Sequence, residues 1–414
     1  MDLNEKTNII VLELAHFSYS HESFNAGTVW QYAKANPGYK ICYCAERDSV
    51  ERVQRIIPRC DNIDYCIMEE LDSIRNNTAR SIEKVYMEIL DGLFSDRNIS
   101  RIIITGYDYH YSDAFVSIMS SRPDTEFYLF MHGEIECLLD DFRIKRWGRY
   151  RVNKLRYRLG IDRVILKDYA KQIRSLIRGE VKRDKEIYIE KLEMLAQMNN
   201  AWFYVFSDEY LKYDLPLSNR VVDRFIRIHL PYVFDEGKTH DLEKESITRF
   251  LVCSSTAESR DGLVWKIINY VNRNRGRIDG KYEFVLGGGD CRCMKNTVPY
   301  VDQKRGQKDI HAAMEYCNWL LLPYPQERYR LSASGVLTDA IDMGIPVIMG
   351  ESGCFNEAET FGIGMRGKNA KDIGEIVISI INRNELIDYS RYTEGCEKLK
   401  KYMCEGNLEI FKIL

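Results

Sequence analysis

The sequence predicts an α/β protein built from two parallel-sheet domains with a cleft between them. Three observations carry that prediction. Apolar runs of strand length alternate with helical patterns along most of the chain. The length, 414 residues, exceeds what a single hydrophobic core usually serves. Near residues 235–248 the alternation lapses into a polar, charged segment and then restarts, which is how a linker reads.

Taken in order, NIIVLEL (8–14), KICYCA (40–45), RIIITG (101–106), EFYLFMHG (126–133) and AWFYVFS (201–207) read as strands. Between them GTVWQYAKA (27–35), ERVQRII (51–57) and SIEKVYMEILDGLFSD (81–96) read as helices. A charged stretch, 141–200, reads as mostly helical, with a strand at DRVILK (162–167). The first domain is placed at 1–235. After the linker the logic repeats: strands RFLVCSS (249–255), YEFVLGGGD (282–290), NWLLLPY (318–324) and PVIMG (346–350), with helices at 262–274, 309–317 and from Ser334. The second domain is placed at 249–385, and helices over 386–414 are expected to pack back on the first. Such alternation implies a parallel sheet with helices on both faces.

Bulk composition narrows the class. With 45% hydrophobic and 29% charged residues the chain reads as soluble and globular. A net charge of −3 provides no global field to select nucleic acid. Its apolar runs fall short of the ~20 residues a membrane span needs, and the acidic start MDLNEKTNIIVLELAH is not a signal peptide. The twelve cysteines include no C-x-x-C, so free buried thiols are expected and not a metal site. No D-x-D occurs, which argues against a divalent ion held on a diphosphate by paired aspartates. No G-x-S-x-G elbow supports serine hydrolase chemistry. The run GIGMRGKN (362–369) satisfies G-x-G-x-x-G, but it follows the last clear strand without a strand–turn–helix context and is not read as a phosphate cradle.

The chemistry concentrates in SASGVLTDAIDMGIPVIM (332–349). A helix beginning near Ser334 offers unpaired N–H groups and the positive end of its dipole. Ser332, Ser334 and Gly335 carry no bulk, so an anion can approach the backbone, with Val336 the next residue of the same candidate site; Ser334 also suits plain N-capping. The strand before it ends at the edge where open parallel sheets bind ligands.

The longer run NWLLLPYPQERYRLSASGVLTDAIDMGIPVI (318–348) resembles the nucleotide-sugar site of family-4-type glycosyltransferases of the GT-B fold. Ala340, Gly344, Pro346 and Val347 stand where that family has Ala, Gly, Pro and Val. The resemblance implies two Rossmann-like domains and places Asp339 as acceptor for the ribose hydroxyls, a role a carboxylate fills well. It makes Arg260 the nearest match to a diphosphate-holding basic residue, although the family's Gly-Arg is absent. Arg328 and Arg330 stand second in that role. Gly287, Gly288 and Gly289 would border the base. The family's sugar-contacting Glu falls on Leu331; Glu327 lies four residues further back and could substitute. FYLFMHGE resembles the family strand that ends in a cleft histidine, giving His132 a place in the sugar or acceptor pocket, and His16 and Gly27 would line the acceptor side by position.

The implied activity is a metal-independent, retaining glycosyltransferase without cofactor. It would use a nucleotide-diphospho-sugar, a UDP-sugar first, and a saccharide acceptor, lipid-linked in cell-surface polysaccharide synthesis. The basic, aromatic-interleaved segment 141–160 suits peripheral contact with the inner face of the cell membrane, and a solvated helix face is its plain alternative. Two other readings stay open: another GT-B-shaped enzyme, such as an epimerase or pyruvyl transferase, and an inactive sugar-nucleotide-binding scaffold.

Overall fold

The structure, a computed structural model, describes residues 8–14, 21–69, 92, 99–139, 185–235, 247–253, 263–287, 300–301, 307–326, 328–383 and 386–413. The helix expected at 81–96, the strand at 162–167, the basic segment 141–160 and most of the linker lie outside the described residues.

The chain divides into two compact units, and the division is not a single cut. Unit 1 takes residues 1–17, 37–50 and 61–228; unit 2 takes 18–36, 51–60 and 229–414. Unit 1 is built on seven strands: β1 Asn8–Leu12, β2 Lys40–Ala45, β3 Ile63–Ile67, β4 Ile99–Ile104, β5 Glu126–Phe130, β6 Ala201–Val205 and β7 Phe225–Arg227. Their order is β3-β2-β1-β4-β5-β6-β7, and every pairing is parallel. Strands such as IIVL and ICYCA are buried at nearly every position, as sheets covered on both faces require. The strand β3 was not foreseen: IDYCI mixes exposed and buried positions at the edge of the sheet, so it lacks the continuous apolar run of its neighbours.

Unit 2 carries six strands, also parallel, in the order β10-β9-β8-β11-β12-β13: β8 Ile247–Cys253, β9 Lys281–Gly287, β10 Tyr300–Val301, β11 Trp319–Leu322, β12 Val347–Met349 and β13 Gly364–Arg366. Side-chain alternation on β11 splits its core in two. Leu320 and Leu322 face one cluster with Ala340 and Met314, while Trp319 and Leu321 face the other with Ile267 and Val377. The helices used below are α1 Glu22–Ala35, α2 Arg47–Ile56, α3 Ser112–Ser121, α4 Leu263–Arg273, α5 Gln307–Glu315, α6 Gly335–Met343, α7 Ala370–Asn382 and α8 Tyr389–Phe411. Although α1 lies early in the sequence, it belongs to unit 2 and packs on α8.

Two expectations are corrected by this layout. The glycine-rich run 362–369 does have a strand–turn–helix context: β13 leads through a turn into α7, whose N-cap Asn369 accepts from the Lys371 and Asp372 N–H groups. Gly364 and Gly367 serve packing, since a Cβ on the first would fall onto the Val347 carbonyl and one on the second onto Ile373, while Gly362 takes a left-handed turn at φ 70°. The helix placed at 27–35 begins at Glu22, so Gly27 lies inside α1 and not at a loop–helix junction.

Candidate functional site

In each sheet the strand order reverses at one point, between β1 and β4 in unit 1 and between β8 and β11 in unit 2. Loops leaving the carboxyl ends at such a point diverge and leave a crevice, the usual ligand position in open parallel sheets. The sequence-derived candidates can be tested against those two places.

In unit 2 the segment after β11 leads to α6. Ser334 caps the helix in extended conformation, its Oγ accepting from the Leu337 N–H at 3.4 Å and its carbonyl from the Thr338 N–H at 3.2 Å. The N–H groups of Gly335 and Val336 find no partner among the described residues. Gly335 is exposed, and among the described residues a Cβ there would meet nothing within 4 Å, so none of them crowds that position. Ser332 is buried at the same turn, and Val336 is half-buried against the core. At the other end Gly344 takes the left-handed conformation, φ 69°, and Ile345 N–H reaches back to the Ala340 carbonyl at 2.9 Å. That closure is a Schellman turn, and it accounts for Gly-x-Pro in GIPV.

Asp339 is buried, one turn into α6, and its partners come from two other elements. The Tyr232 hydroxyl donates to its Oδ1 at 2.8 Å, and His311 Nε2, on α5, lies 3.6 Å from the same oxygen and 3.2 Å from the Tyr232 hydroxyl. One turn further on, Asp342 Oδ1 accepts the Asp235 N–H at 2.9 Å; burial pushes its carboxyl above the ordinary value, against the pull of that bond and of Lys400 and His311. Neither Tyr232 nor His311 was singled out from the sequence, since 107 residues separate Tyr232 from Asp339 and no local spacing betrays the contact.

The loop before α6 is ordered around Arg328, which is 9% exposed. Its guanidinium lies 4.5 Å from the centre of the Tyr324 ring and 5.0 Å from that of Tyr329. Ser352 Oγ donates to its carbonyl. Tyr329 holds φ 54°, a conformation that costs a non-glycine residue about 1–3 kcal/mol. Arg330 is half-buried beside it. Leu331, in the place of the family's sugar-contacting Glu, is 1% exposed, one of the buried hydrophobic residues. The structure therefore gives that position to packing. Glu327, Arg260, Gly288 and Gly289 lie outside the described residues; Gly287 ends β9.

In unit 1 the switch point brings together Glu13 after β1, Thr105 after β4 and His132 after β5. His132 Nε2 donates to the Thr105 carbonyl at 2.7 Å, which fixes the proton on that nitrogen because a carbonyl only accepts. The Thr105 hydroxyl lies 3.2 Å from Glu13 Oε2, and Glu13 is 2% exposed. His132 thus sits at the carboxyl edge, as expected; its buried neighbour Glu13 was missed because a Glu inside NIIVLEL reads only as the end of a strand. His16 lies outside the described residues. Gly27 is corrected: a Cβ there would run into the backbone of Pro231 and Tyr232, so its smallness serves a helix-to-backbone contact and leaves no space for an acceptor.

Two Rossmann-type parallel sheets, each reversing at a central strand, constitute the GT-B architecture. Solved structures that share it include a glycosyltransferase from Rickettsia africae, aligned over 99% of this chain and 98% of its own at TM-score 0.55 and 12% identity. A sucrose-phosphate synthase from Thermosynechococcus elongatus aligns over 98% and 95% at TM-score 0.52 and 12% identity. UGT71G1 of Medicago truncatula, crystallised with UDP-glucose, aligns over 99% and 98% at TM-score 0.52 and 10% identity. No protein-family model and no curated protein matches the sequence.

Proposed function

We propose that this protein is a glycosyltransferase that moves a sugar from a nucleotide-diphospho-sugar, a UDP-sugar first, to a saccharide acceptor. The observation that carries the reading is the open N-terminus of α6 with Asp339 one turn behind it, on a GT-B fold. Four residues of helix span about 6 Å, so a phosphate at Gly335–Val336 and a ribose at Asp339 can belong to one ligand. The UDP-glucose held by the Medicago enzyme supports the choice of donor.

As the glycosidic bond breaks, negative charge gathers on the departing diphosphate. Main-chain N–H groups and the helix dipole stabilise that charge in place, with Arg260 as the cation of this reading and Arg330 as a second. No metal is required by such a scheme, and the resemblance adds retention at the anomeric carbon. His132, held by Thr105, takes the sugar or acceptor side. A lipid-linked saccharide at the cytoplasmic membrane face completes the proposal; among the described residues no helix is long and apolar enough to cross a membrane.

A thermal-shift panel of UDP, GDP, ADP and dTDP tests it, since a bound ligand raises apparent stability by mass action. One of the four should raise the melting temperature. Asp339→Ala should abolish the rise, and Arg260→Ala should weaken it more for diphosphates than for nucleosides. Variants that respond like wild type would refute the site assignment. Burial of Leu331 favours a second reading, a binding subunit without transferase activity. Slow release of nucleoside diphosphate from the donor sugar would decide for the enzyme, and tight donor binding with no turnover for the scaffold.

A further inference from the structure

Asp339 does not stand alone in its pocket, and the way it is held has a direction. Its Oδ1 receives both the Tyr232 hydroxyl, at 2.8 Å, and the approach of His311 Nε2, at 3.6 Å. Tyr232 has one hydroxyl proton, and a carboxylate can only accept, so that proton goes to Asp339. The lone pairs of the Tyr232 oxygen then face His311 Nε2 at 3.2 Å, which must be the donor in that pair. The result is an ordered chain: His311 Nε2–H to Tyr232, Tyr232 O–H to Asp339 Oδ1. All of it converges on one oxygen and leaves Oδ2 to other donors.

The tyrosine in the middle is held firmly. Helix α1 presses against its backbone where Gly27 lacks a Cβ. Gln31, one turn on, donates from Nε2 to the Tyr232 carbonyl at 3.1 Å. Gln31 is in turn held by Asn407 Nδ2 on α8 at 2.8 Å, and Asn407 brackets His229 through both its N–H and its carbonyl. Tyr232 is 2% exposed and Asp339 6%, so neither bond is weakened by competing water. Asp235 N–H on Asp342 ties down the same 229–235 segment one turn further along α6.

We propose that Tyr232 and His311 are positioning residues for nucleoside recognition. They fix the rotamer and the free oxygen of Asp339 so that it accepts the paired 2′- and 3′-hydroxyls of a ribonucleoside diphosphate. This rests on the reading of α6 as the nucleotide site. It adds a role for two side chains that touch no ligand themselves, and it gives Gly27 and Gln31 a supporting place behind them.

The test measures ribose discrimination and not affinity alone. UDP, GDP and ADP, each beside its 2′,3′-dideoxy form, are titrated calorimetrically into the full-length wild type, Tyr232→Phe, His311→Gln and His311→Leu. Wild type should prefer at least one ribonucleotide over its dideoxy form by roughly tenfold or more, the worth of hydrogen bonds to a charged group. Tyr232→Phe should compress that preference several-fold while leaving the dideoxy affinity in place. His311→Leu should act in the same direction. His311→Gln, which keeps an N–H donor near the tyrosine, should retain most of the preference. Because His311 lies near the surface end of this chain of bonds, its variants serve if Tyr232→Phe fails to fold. A purely structural role predicts lower melting temperatures with an unchanged ribo-to-dideoxy ratio, and that result overturns the proposal while sparing the nucleotide site. Binding without any ribose preference in wild type also overturns it and removes Asp339 from its ribose role. Failure of wild type to bind any of the diphosphates overturns both this proposal and the reading beneath it.

Discussion

Arg277 and Glu375 show what one pair of side chains can and cannot do. The guanidinium meets the carboxylate through two bonds of 2.8 Å, and the Tyr270 hydroxyl adds a third at 2.5 Å. These bonds, Arg277's first, hold the Glu375 carboxyl down at about 2 against an ordinary value of 4.5. A depressed carboxylate contributes stability that is complete above its unfolded pKa and is lost as pH falls through the folded one, here between about 4.5 and about 2. The pair is exposed, so its contribution to overall stability is small. The expected outcome therefore concerns titration: carbon-13 NMR should place the Glu375 midpoint far below that of an ordinary glutamate, and Arg277→Gln should return most of the difference. A midpoint near 4.5 in both proteins would show that the bidentate geometry is not kept in solution. None of this was legible in the sequence, where 98 residues separate the two partners. The same limit hid Tyr232 and His311 from view. The place of Asp339 on its helix was legible, because the pattern has a small-residue start and a Gly-x-Pro exit, while a role for it came from the resemblance alone.

Helix α6 shows how far local pattern reaches. Its start, its acidic position and its exit could each be read from SASGVLTDAIDMGIPV, since caps and left-handed turns demand particular residues. Gly344 allows that demand to be measured. A Cβ there would lie 3.5 Å from Thr393 Cγ2, an ordinary contact, so space is not what excludes a side chain. The positive φ remains as the only penalty, about 1–2 kcal/mol for an L-residue. Gly344→Ala should lower the unfolding free energy by that amount, seen as a lower urea midpoint with an unchanged slope. No loss would mean that the turn relaxes to another conformation. Edge elements were less readable for a matching reason. The strand β13 has three half-buried residues and β10 only two residues, so neither presents an apolar run long enough to outweigh the glycines and polar residues around it. The dismissed context of GIGMRGKN follows from that single missed strand. The two alternating faces of β11, by contrast, were written as WLLL, which suits burial on both sides.

At the scale of the whole chain, sequence order and structural membership part company. The alternation of strands and helices yields two sheets but does not tell which unit a helix joins. Helix α1 follows the first strand of unit 1, yet it is bound to α8, more than 350 residues later, by Tyr32 stacked on Phe411 at 4.3 Å and by Asn36 Nδ2 on the Phe411 carbonyl. Asn407 is the polar centre of that contact. It is fully buried, and its amide group serves Gln31 and both backbone groups of His229. Asn407→Leu is close in size but leaves the Gln31 oxygen and the His229 N–H without their partner, each at about 1–3 kcal/mol. Because these bonds join α1, the 229–235 segment and α8, the loss should be felt by all three together and not by the helix that carries the mutation alone. Native-state hydrogen exchange reads this out. Amides of Val29–Ala33 in α1 and of Leu399–Met403 in α8 should exchange faster by a common factor in Asn407→Leu, while those of β4 and β5 in unit 1 keep their wild-type protection. Acceleration confined to α8 would show that α1 is held by unit 1 after all. If Asp339 holds a ribose as proposed and the support of Tyr232 runs through Gln31, the same variant should also loosen ribose discrimination there, at a residue that the substituted side chain does not touch.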